Sequence, residues 1–457
     1  MNKRVVWFVV LVVAGLASLH FLPKIVVGDT ELRTVDLIAD IRAGANDTVA
    51  KDSADCAALP PVLAASNDYL QDYSGSEDSL AINRGLDYFF TKLDSAQVMD
   101  RPVRIAYFGD SFVEGDMMTE DLRALLQDRF GGRGVGYVPV NQLVANLRGS
   151  VIAKSGGWSR KSVIDKGRHD ERMGVDGMMF VSSGSSAWLE LRARKDLAEK
   201  HQDGGDLGAI FYRPLEGMSL TPYIDGNPVA VSGMTEGASV SVQYIQGDMS
   251  VEKWTVALHG GGPAVVYGSS MESRHGVCLD NLALRNTTGM HLLDIKDEVF
   301  EDFFKARNYD LIILGYGLNV VSKREGVDYS YFMDRMERVV RKMAQCSPGT
   351  SFMIVSIGDR ARKTMNGMES YPSMSEYVEQ QRALAKRLGI CFWDMNETML
   401  SLGGIAKMAN ENPPQATKDY THINFKGGKV LAKRFFDDLM EVREMNKKNK
   451  QDRANKQ

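Results

Sequence analysis

Two distant stretches of the sequence carry side chains that could act together as nucleophile, base and orienting acid. In "RIAYFGDSFVEGD" (104–116) a buried-looking strand, Arg104 to Phe108, leads directly into Gly-Asp-Ser, which is a common way to present a serine nucleophile. A serine hydroxyl reacts poorly unless a base takes its proton. Among the seven histidines, His422 in "KDYTHINFKGG" is the best candidate, since Asp419 lies three residues earlier and can reach the imidazole Nδ1 within one loop. Together with Ser111, these residues predict a catalytic triad.

A third stretch, "LGYGLNVV" (314–321), places Gly317 and Asn319 immediately after a core strand. A side-chain amide in that position can donate a hydrogen bond to an oxyanion as it develops. Each fragment also has a simpler interpretation: a serine that caps a helix, a surface loop before a cap, or an amide that ties down a strand end. A serine early in the domain and Asp-x-x-His near its end favour one shared site, beyond the carboxyl ends of the strands.

The elements around these residues indicate a three-layer α/β domain. The runs "YDLIILGYG" (309–317) and "SFMIVSI" (351–357) are continuously apolar, as is typical of parallel strands covered by helices on both faces. Helical periodicity follows the serine (Met118, Leu122, Leu125, Leu126) and returns in residues 425–441, where Asn424 can cap the last helix. The two halves of this domain are predicted at 78–140 and 276–442, with a parallel sheet.

Between the two halves, residues 141–275 read as short alternating strands separated by Gly, Asp and Asn. Examples are "AWLELRA" and "ASVSVQY", and "YIDGNPV" has the turn residues of a hairpin. This density of short strands predicts an all-β, sandwich-like insertion. Its aromatic residues Trp254 and Tyr223 are either exposed binding residues or part of the core.

The two ends of the chain predict features outside the globular part. Residues 1–27 begin with Asn2-Lys3-Arg4 and continue with an apolar run from Val5 to Leu22, which is the form of a signal anchor or a cleaved signal peptide. Either form places the bulk of the chain outside the cytoplasm, membrane-anchored or secreted. Residues 28–77 are predicted to be a linker and residues 443–457 a disordered tail.

Composition narrows the classes of function. A formal net charge of −4 gives no basic field to gather phosphates, so nucleic acid is not an expected partner. The four cysteines, Cys56, Cys278, Cys346 and Cys391, form no CxxC pair, which argues against a zinc or redox motif; disulfides and buried free thiols both remain open. The triad chemistry requires no metal and no organic cofactor.

The motifs resemble those of the SGNH (GDSL-type) hydrolases. Gly109-Asp110-Ser111 matches the first sequence block of that family, Gly317-x-Asn319 the third and Asp419-x-x-His422 the fifth. The longer segment from Phe108 to Val138 is similar in sequence to the same segment of one subgroup of this family. That subgroup contains peptidoglycan O-acetylesterases, which carry a β-sandwich module inside the hydrolase domain. The resemblance covers most of residues 78–442 and implies a flavodoxin-like parallel sheet.

The resemblance implies an extracytoplasmic, periplasm-facing serine esterase that removes O-linked acyl groups, often acetyl, from a cell-envelope glycan or peptidoglycan. Two alternatives remain: an O-acyltransferase with the same triad, or a degenerate domain that only binds glycan. The second sequence block normally supplies a glycine whose N–H joins the oxyanion hole. Here "DNLALRNTTG" (280–289) has Asn286 at that position, with Gly289 as the other candidate. The N–H of Ser111 and the Asn319 amide complete the expected oxyanion hole.

Asp110 and Gly317 are assigned supporting roles. Asp110 is expected to bond turn amides and not to carry protons. Asp359-Arg360, after the strand 351–357, lies at the sheet edge where substrate would bind, although a simple ion pair between the two fits the sequence equally well.

Overall fold

The structure, a computed structural model, describes residues 26–27, 30–31, 65–141, 148–167, 172–184, 186–194, 199–232, 239–248, 251–260 and 264–455. The chain divides into two units, Met1–Pro60 and Pro61–Gln457. In the first unit, Val26–Val27 (β1) pairs antiparallel with Thr30–Glu31 (β2). The predicted anchor, residues 5–22, lies outside the described residues. No helix within the described ranges has the length and apolar character needed to cross a membrane.

The second unit combines a parallel α/β domain with an antiparallel β insertion. Its strands are β3 (Leu70–Asp72), β4 (Val103–Gly109), β5 (Gly136–Pro139), β6 (Val151–Gly156), β7 (Trp158–Ser162), β8 (Met178–Ser182), β9 (Trp188–Ala193), β10 (Leu207–Arg213), β11 (Met218–Ile224), β12 (Asn227–Pro228), β13 (Val231–Ser232), β14 (Ser241–Gln246), β15 (Lys253–Gly260), β16 (Val265–Glu272), β17 (Val277–Asn281), β18 (Leu311–Gly315), β19 (Ser351–Val355), β20 (Ala361–Thr364), β21 (Gly367–Ser370) and β22 (Cys391–Trp393). Its α-helices are α1 (Leu86–Asp94), α2 (Thr119–Phe130), α3 (Asp297–Arg307), α4 (Ser330–Cys346), α5 (Met374–Leu388), α6 (Met395–Ser401), α7 (Gly404–Asn410) and α8 (Phe425–Ala454). Short 3₁₀ helices occupy Glu114–Asp116 and Met290–Leu293.

The central sheet has the order β17-β4-β18-β19-β22, and these five strands are parallel. Counted from β4, this is the flavodoxin-like order 2-1-3-4-5. Alternate side chains of each strand enter separate cores on the two faces. Phe108 and Ile312 pack with helices α3, α4 and α5, whereas Ile105 and Ile313 pack with α1, α2 and α8. The predicted three-layer arrangement is therefore confirmed.

The β insertion is a sandwich of two antiparallel sheets. One sheet has the order β13-β14-β10-β16-β8-β7 with β5 also on β16, and the other has the order β12-β11-β15-β9-β6. Both sheets contribute to one core, which includes Phe180, Ile210 and Val256. At its central strands, the outer face of the first sheet does not face solvent. Its Phe211 packs against Phe303 of α3, so the insertion and the α/β domain share an interior.

Buried ion pairs connect the insertion to the α/β domain. Arg307 donates to Glu272 of β16 at 2.6 Å and to Asp280 of β17 at 2.8 Å. Arg104 of β4 also donates to Glu272, at 3.0 Å, and all four side chains are buried. Removal of one partner from a buried pair typically costs about 3–5 kcal/mol. The insertion is thus fixed to the sheet by charge as well as by apolar packing.

Several sequence-based boundaries are wrong. The predicted linker 28–77 extends too far, because β3 pairs antiparallel with β22 as an edge strand of the central sheet. The insertion begins before residue 141, since β5 already pairs with β16. Residues 443–454 are not a disordered tail but the end of α8, where Arg443 is buried against the ring of Phe130.

Two predictions about side chains are also resolved. Trp254 is 1% exposed and belongs to the sandwich core, whereas Tyr223 is half-buried; the exposed tryptophan of this domain is Trp188. Cys278, Cys346 and Cys391 are free thiols, and Cys56 lies outside the described residues.

Candidate active site

The serine turn is the segment from Gly109 to Asp116 at the end of β4. Gly109 must be glycine, because a Cβ there would lie 2.6 Å from the Val113 side chain. Its carbonyl accepts a hydrogen bond from the Leu284 N–H at 3.0 Å, which brings the loop after β17 beside the turn. Ser111 follows as a half-buried residue at the carboxyl edge of the sheet. This is the edge at which parallel sheets bind ligands.

The second loop, from Ala416 to Ile423, presents the histidine and the aspartate. Ala416 and Ile423 form an antiparallel bridge, and Thr417 N–H donates to the His422 carbonyl at 2.8 Å. The loop reverses at Tyr420, whose φ of 53° lies in the left-handed region that tyrosine rarely adopts. Asn424 accepts from the N–H groups of Lys426 and Gly427, so its predicted role as the cap of α8 is confirmed.

The structure brings Ser111, His422 and Asp419 into one hydrogen-bonded chain. Ser111 Oγ lies 3.0 Å from His422 Nε2, and His422 Nδ1 lies 2.7 Å from Asp419 Oδ2. The other carboxylate oxygen, Asp419 Oδ1, accepts from Thr417 Oγ1 at 2.5 Å and from the backbone N–H of Thr421 at 2.9 Å. This geometry allows the imidazole to accept the serine proton while the carboxylate fixes its tautomer.

The charge state of Asp419 suits that geometry. Partial burial opposes ionisation, but the hydrogen bonds from His422, Thr417 and the backbone outweigh it and lower the pKa of Asp419 to about 2. The carboxylate therefore remains ionised wherever a neutral imidazole could serve as a base. The side chains of His422 and Asp419 are 34% and 50% exposed, so substrate can reach them directly.

Asp110 connects the serine turn to the loop after β18. Its buried carboxylate accepts from the Phe112 N–H at 3.1 Å and from the Leu318 N–H at 3.2 Å. Desolvation raises the pKa of Asp110 to about 6, although the amide hydrogen bonds oppose the shift. Gly317 has a φ of 141°, and a Cβ there would overlap the side chain of Ile357. The hydrogen bond to Asp110 holds Leu318 in place, and this also restricts Asn319, the next residue in the chain.

The predicted oxyanion donors occupy different environments. Asn319 is exposed, and its Nδ2 donates to the Thr287 carbonyl at 2.8 Å; an NH₂ group has a second hydrogen to offer. Asn286 is also exposed and has a φ of 60°, a left-handed conformation that asparagine tolerates. Gly289 is buried instead, and a Cβ there would meet Tyr316 and Met336. Of the two candidates in this loop, Asn286 is the accessible one.

Two neighbouring interactions were not found from the sequence. Arg285 is paired with Glu114, which ties the loop after β17 to the serine turn. Asn281, at the end of β17, donates through Nδ2 to the Val113 carbonyl at 2.7 Å and to Asp116 at 3.0 Å. A polar residue that closes an apolar strand at this sheet edge is a signal that could have pointed to Asn281.

Asp359 and Arg360 do not form the simple ion pair with each other. Each contacts a different set of residues. Asp359 is buried and accepts from Ser370 Oγ at 2.6 Å and from the Ile405 N–H at 2.7 Å. Arg360 lies between the loop after β18 and the loop that carries His422: it donates to the Leu318 carbonyl at 3.0 Å and to Thr421 Oγ1 at 3.3 Å.

Comparisons with known proteins bear on the fold. Neither a family model nor a curated protein sequence matches the chain. Among solved structures, a peptidoglycan O-acetylesterase superposes with a TM-score of 0.65 at 22% identity, over 82% of this chain and 99% of that one. The chain has the fold of an SGNH hydrolase.

Two weaker matches accompany this one. An acetyl xylan esterase gives a TM-score of 0.28 at 18% identity, over 35% of this chain and 80% of that chain. The periplasmic domain of a lipopolysaccharide acetyltransferase from Salmonella ser. Paratyphi A gives 0.29 at 12% identity, over 36% and 73%. Both TM-scores are too low to add to the assignment of the SGNH fold.

Proposed function

We propose that the protein is an extracytoplasmic serine esterase that removes O-linked acyl groups, acetyl first among them, from a cell-envelope glycan. One observation carries the proposal: Ser111 Oγ, His422 and Asp419 form a continuous hydrogen-bonded chain at the ligand-binding edge of an SGNH fold. A serine with a positioned base and an orienting carboxylate is the arrangement used for acyl transfer.

The reaction follows from the two hydrogen bonds that join Ser111 Oγ to His422 and His422 to Asp419. His422 Nε2 takes the proton of Ser111 while Oγ attacks the ester carbonyl carbon, and the carbonyl oxygen becomes an oxyanion. Collapse of the intermediate breaks the bond to the sugar oxygen, which leaves with the proton now held by His422. A water molecule, deprotonated by the same imidazole, then attacks the acyl-serine and releases the carboxylic acid.

Three donors are assigned to the oxyanion: the N–H of Ser111, the Asn319 amide and the backbone N–H of Asn286. Asn319 is supported by its exposure and by the Thr287 hydrogen bond, which fixes one amide hydrogen and leaves the other free. Asn286 is supported by its left-handed backbone at the exposed end of the loop beside the serine turn. Preorganised donors of this kind stabilise charge that develops in the transition state.

The choice of substrate and location has separate support. The solved structure that superposes over most of the chain is a peptidoglycan O-acetylesterase, which favours an O-acylated glycan. The basic N-terminus followed by an apolar run favours export, with membrane anchoring or secretion as the two forms.

The proposal is tested by acetate release from O-acetylated peptidoglycan, with Ser111→Ala compared with the wild type. We expect release to fall by about 10⁴-fold or more, since removal of a triad serine leaves only binding and oxyanion stabilisation. An unchanged rate in Ser111→Ala would remove the serine from the mechanism. Acyl groups recovered on an added glycan acceptor, in place of free acetate, would identify an O-acyltransferase instead.

A further inference from the structure

A groove lies directly beside the proposed catalytic loop, and its charge is not explained by the triad. It has a volume of about 520 Å³ and is lined by Lys323, Arg362 and Lys363, by Tyr371, and by Asp419 and Tyr420 of the loop itself. A concave site next to reacting groups is the expected place for the rest of a substrate.

The β20–β21 hairpin forms one side of the groove and is attached to the catalytic loop. Ala361 N–H donates to the Tyr420 carbonyl at 3.0 Å, so the first strand of the hairpin continues from that loop. Arg360, which precedes the hairpin, contacts both Leu318 and Thr421, the neighbours of Asn319 and His422. A sugar unit in the groove would therefore adjoin the unit whose ester meets Ser111.

The positive charges of the groove are available to a ligand. Lys323 and Lys363 are exposed and Arg362 is half-buried; across the described part of the chain, none of the three has an ion-pair partner. Arg362 donates one hydrogen bond, to the Lys323 carbonyl at 2.7 Å, and keeps further donors free. The acid that lines the groove, Asp419, already accepts from His422 and Thr417.

Lys323 is also held in place before a ligand arrives, and so is Arg360, which precedes the hairpin. The buried ring of Tyr371 carries the Lys323 ammonium 5.8 Å from its centroid and the Arg360 guanidinium 4.8 Å from it. Contacts of this kind restrict long side chains that would otherwise lose entropy on binding. The chain as a whole has a net charge of −4, so the positive side chains of the groove are opposite in sign to the net charge of the protein.

We propose that the groove binds a carboxylate of the glycan, so that the preferred substrate is an acidic glycan with a carboxylate next to the acylated sugar. This proposal deepens the proposed function and depends on it for the reaction that follows binding. Arginine matches a carboxylate with two parallel N–H donors, and the two lysines add point charges. The carboxylate can belong to a uronic acid or to the peptide stem of peptidoglycan.

The test measures binding without turnover. The Ser111→Ala protein is titrated with an oligouronate and with a soluble muropeptide, each with free carboxylates and with the carboxylates converted to amides. We expect at least one free-carboxylate ligand to bind about tenfold more tightly than its amide, a difference that shrinks at high salt. The ligand that shows the difference identifies the source of the carboxylate.

Charge-neutral variants assign the effect to the groove. The triple substitution Lys323→Gln, Arg362→Gln and Lys363→Gln should reduce the affinity of the free-carboxylate ligand to that of its amide. A matched control removes three exposed helical lysines outside the groove (Lys305→Gln, Lys386→Gln and Lys448→Gln) and should keep the difference. If the triple variant does not fold, Lys323→Gln and Lys363→Gln singly should each weaken binding by about threefold.

The outcomes separate this proposal from the one on which it depends. Equal affinity for free and amidated ligands of both kinds, or an affinity difference that survives in the triple variant, would overturn the carboxylate groove. Absence of acetate release by the wild-type protein, with carboxylate binding intact, would overturn the esterase and leave the groove in place.

Discussion

The serine turn and the histidine loop meet at one hydrogen bond, but they are held in position in different ways. Asp116, the last residue of the serine turn, is fully buried. It accepts hydrogen bonds from Arg123 of α2, Arg148 of the β insertion and Asn281 of β17. In the histidine loop, Asp419 is half exposed and its hydrogen bonds come from residues within three positions of it.

This difference indicates that the proposed nucleophile is positioned by distant parts of the fold, whereas the carboxylate that orients the proposed base is positioned by its own loop. The arginines hold the pKa of the Asp116 carboxyl well below its ordinary value despite burial, so it is a permanent charge inside the protein. Changes beneath the serine turn should therefore reduce stability, and changes in the histidine loop should reduce catalysis at nearly constant stability. The predictions below are ordered by their expected effect on turnover.

Asp419→Asn should give the largest effect. An amide in place of the carboxylate can donate a hydrogen bond to Nδ1 instead of accepting one from it, so the imidazole is held in the wrong tautomer and kcat should fall by about 10⁴-fold. The midpoint of thermal unfolding at pH 7 should fall only modestly, because the half-exposed side chain shares its hydrogen bonds with solvent. Steady-state kinetics and a thermal melt of the same samples measure both; a large loss of stability with normal kcat would contradict the local role.

The low pKa of Asp419 adds a prediction for the wild type. Because the folded pKa, about 2, lies below the ordinary 3.8, the stabilising contribution of this carboxylate is present above about pH 4 and is lost as the pH falls through 2. A loss of kcat/KM between pH 4 and pH 7 must therefore reflect the titration of a group other than Asp419. An inflection in that range that disappears in Asp419→Asn without any other change in the profile would contradict this assignment.

Asn319→Ala should give an intermediate effect. Removal of one oxyanion donor typically lowers kcat by about 10²–10³-fold with a smaller change in KM. Stability should change only modestly, because the residue is exposed and donates a single hydrogen bond, to Thr287. A fall in kcat of less than about fivefold on an acetyl ester would remove Asn319 from the oxyanion hole.

Asp116→Asn should give the smallest effect on turnover per folded molecule and the largest on stability. It leaves Arg123 and Arg148 buried without their anion, which typically costs about 3–5 kcal/mol of unfolding free energy. The matched control is Asp165→Asn, which removes an exposed ion pair with Arg160 and should cost about 1 kcal/mol or less. Urea denaturation measures both variants, and equal costs would contradict the contrast between the two regions.

The sequence predicted which residues meet at the candidate site better than it predicted the interactions that support them. Ser111, Asn319, Asp419 and His422 stand in short motifs whose residue types indicate chemistry directly, and continuous apolar strands indicate a sheet that brings their ends together. The helix cap at Asn424 was predictable for the same reason, since its partners are the next residues in the chain.

What could not be predicted depends on partners far away in the chain. Glu272 and Arg307 look like ordinary surface charges until the fold buries them together. The edge strand Leu70–Asp72 is too short to show a period, and the last turns of α8 are polar even where they pack, as at Arg443 and Asn446. The groove beside the triad combines residues from three separate segments, so no single motif marks it.

The central claim is that Ser111 is a nucleophile activated by His422. Its most direct test is reaction of the folded protein with a serine-directed fluorophosphonate, followed by mass spectrometry of the peptides. We expect one adduct on the peptide that contains Ser111, and none in Ser111→Ala. A folded wild type that remains unmodified, or that carries the adduct on a different residue, would contradict the account.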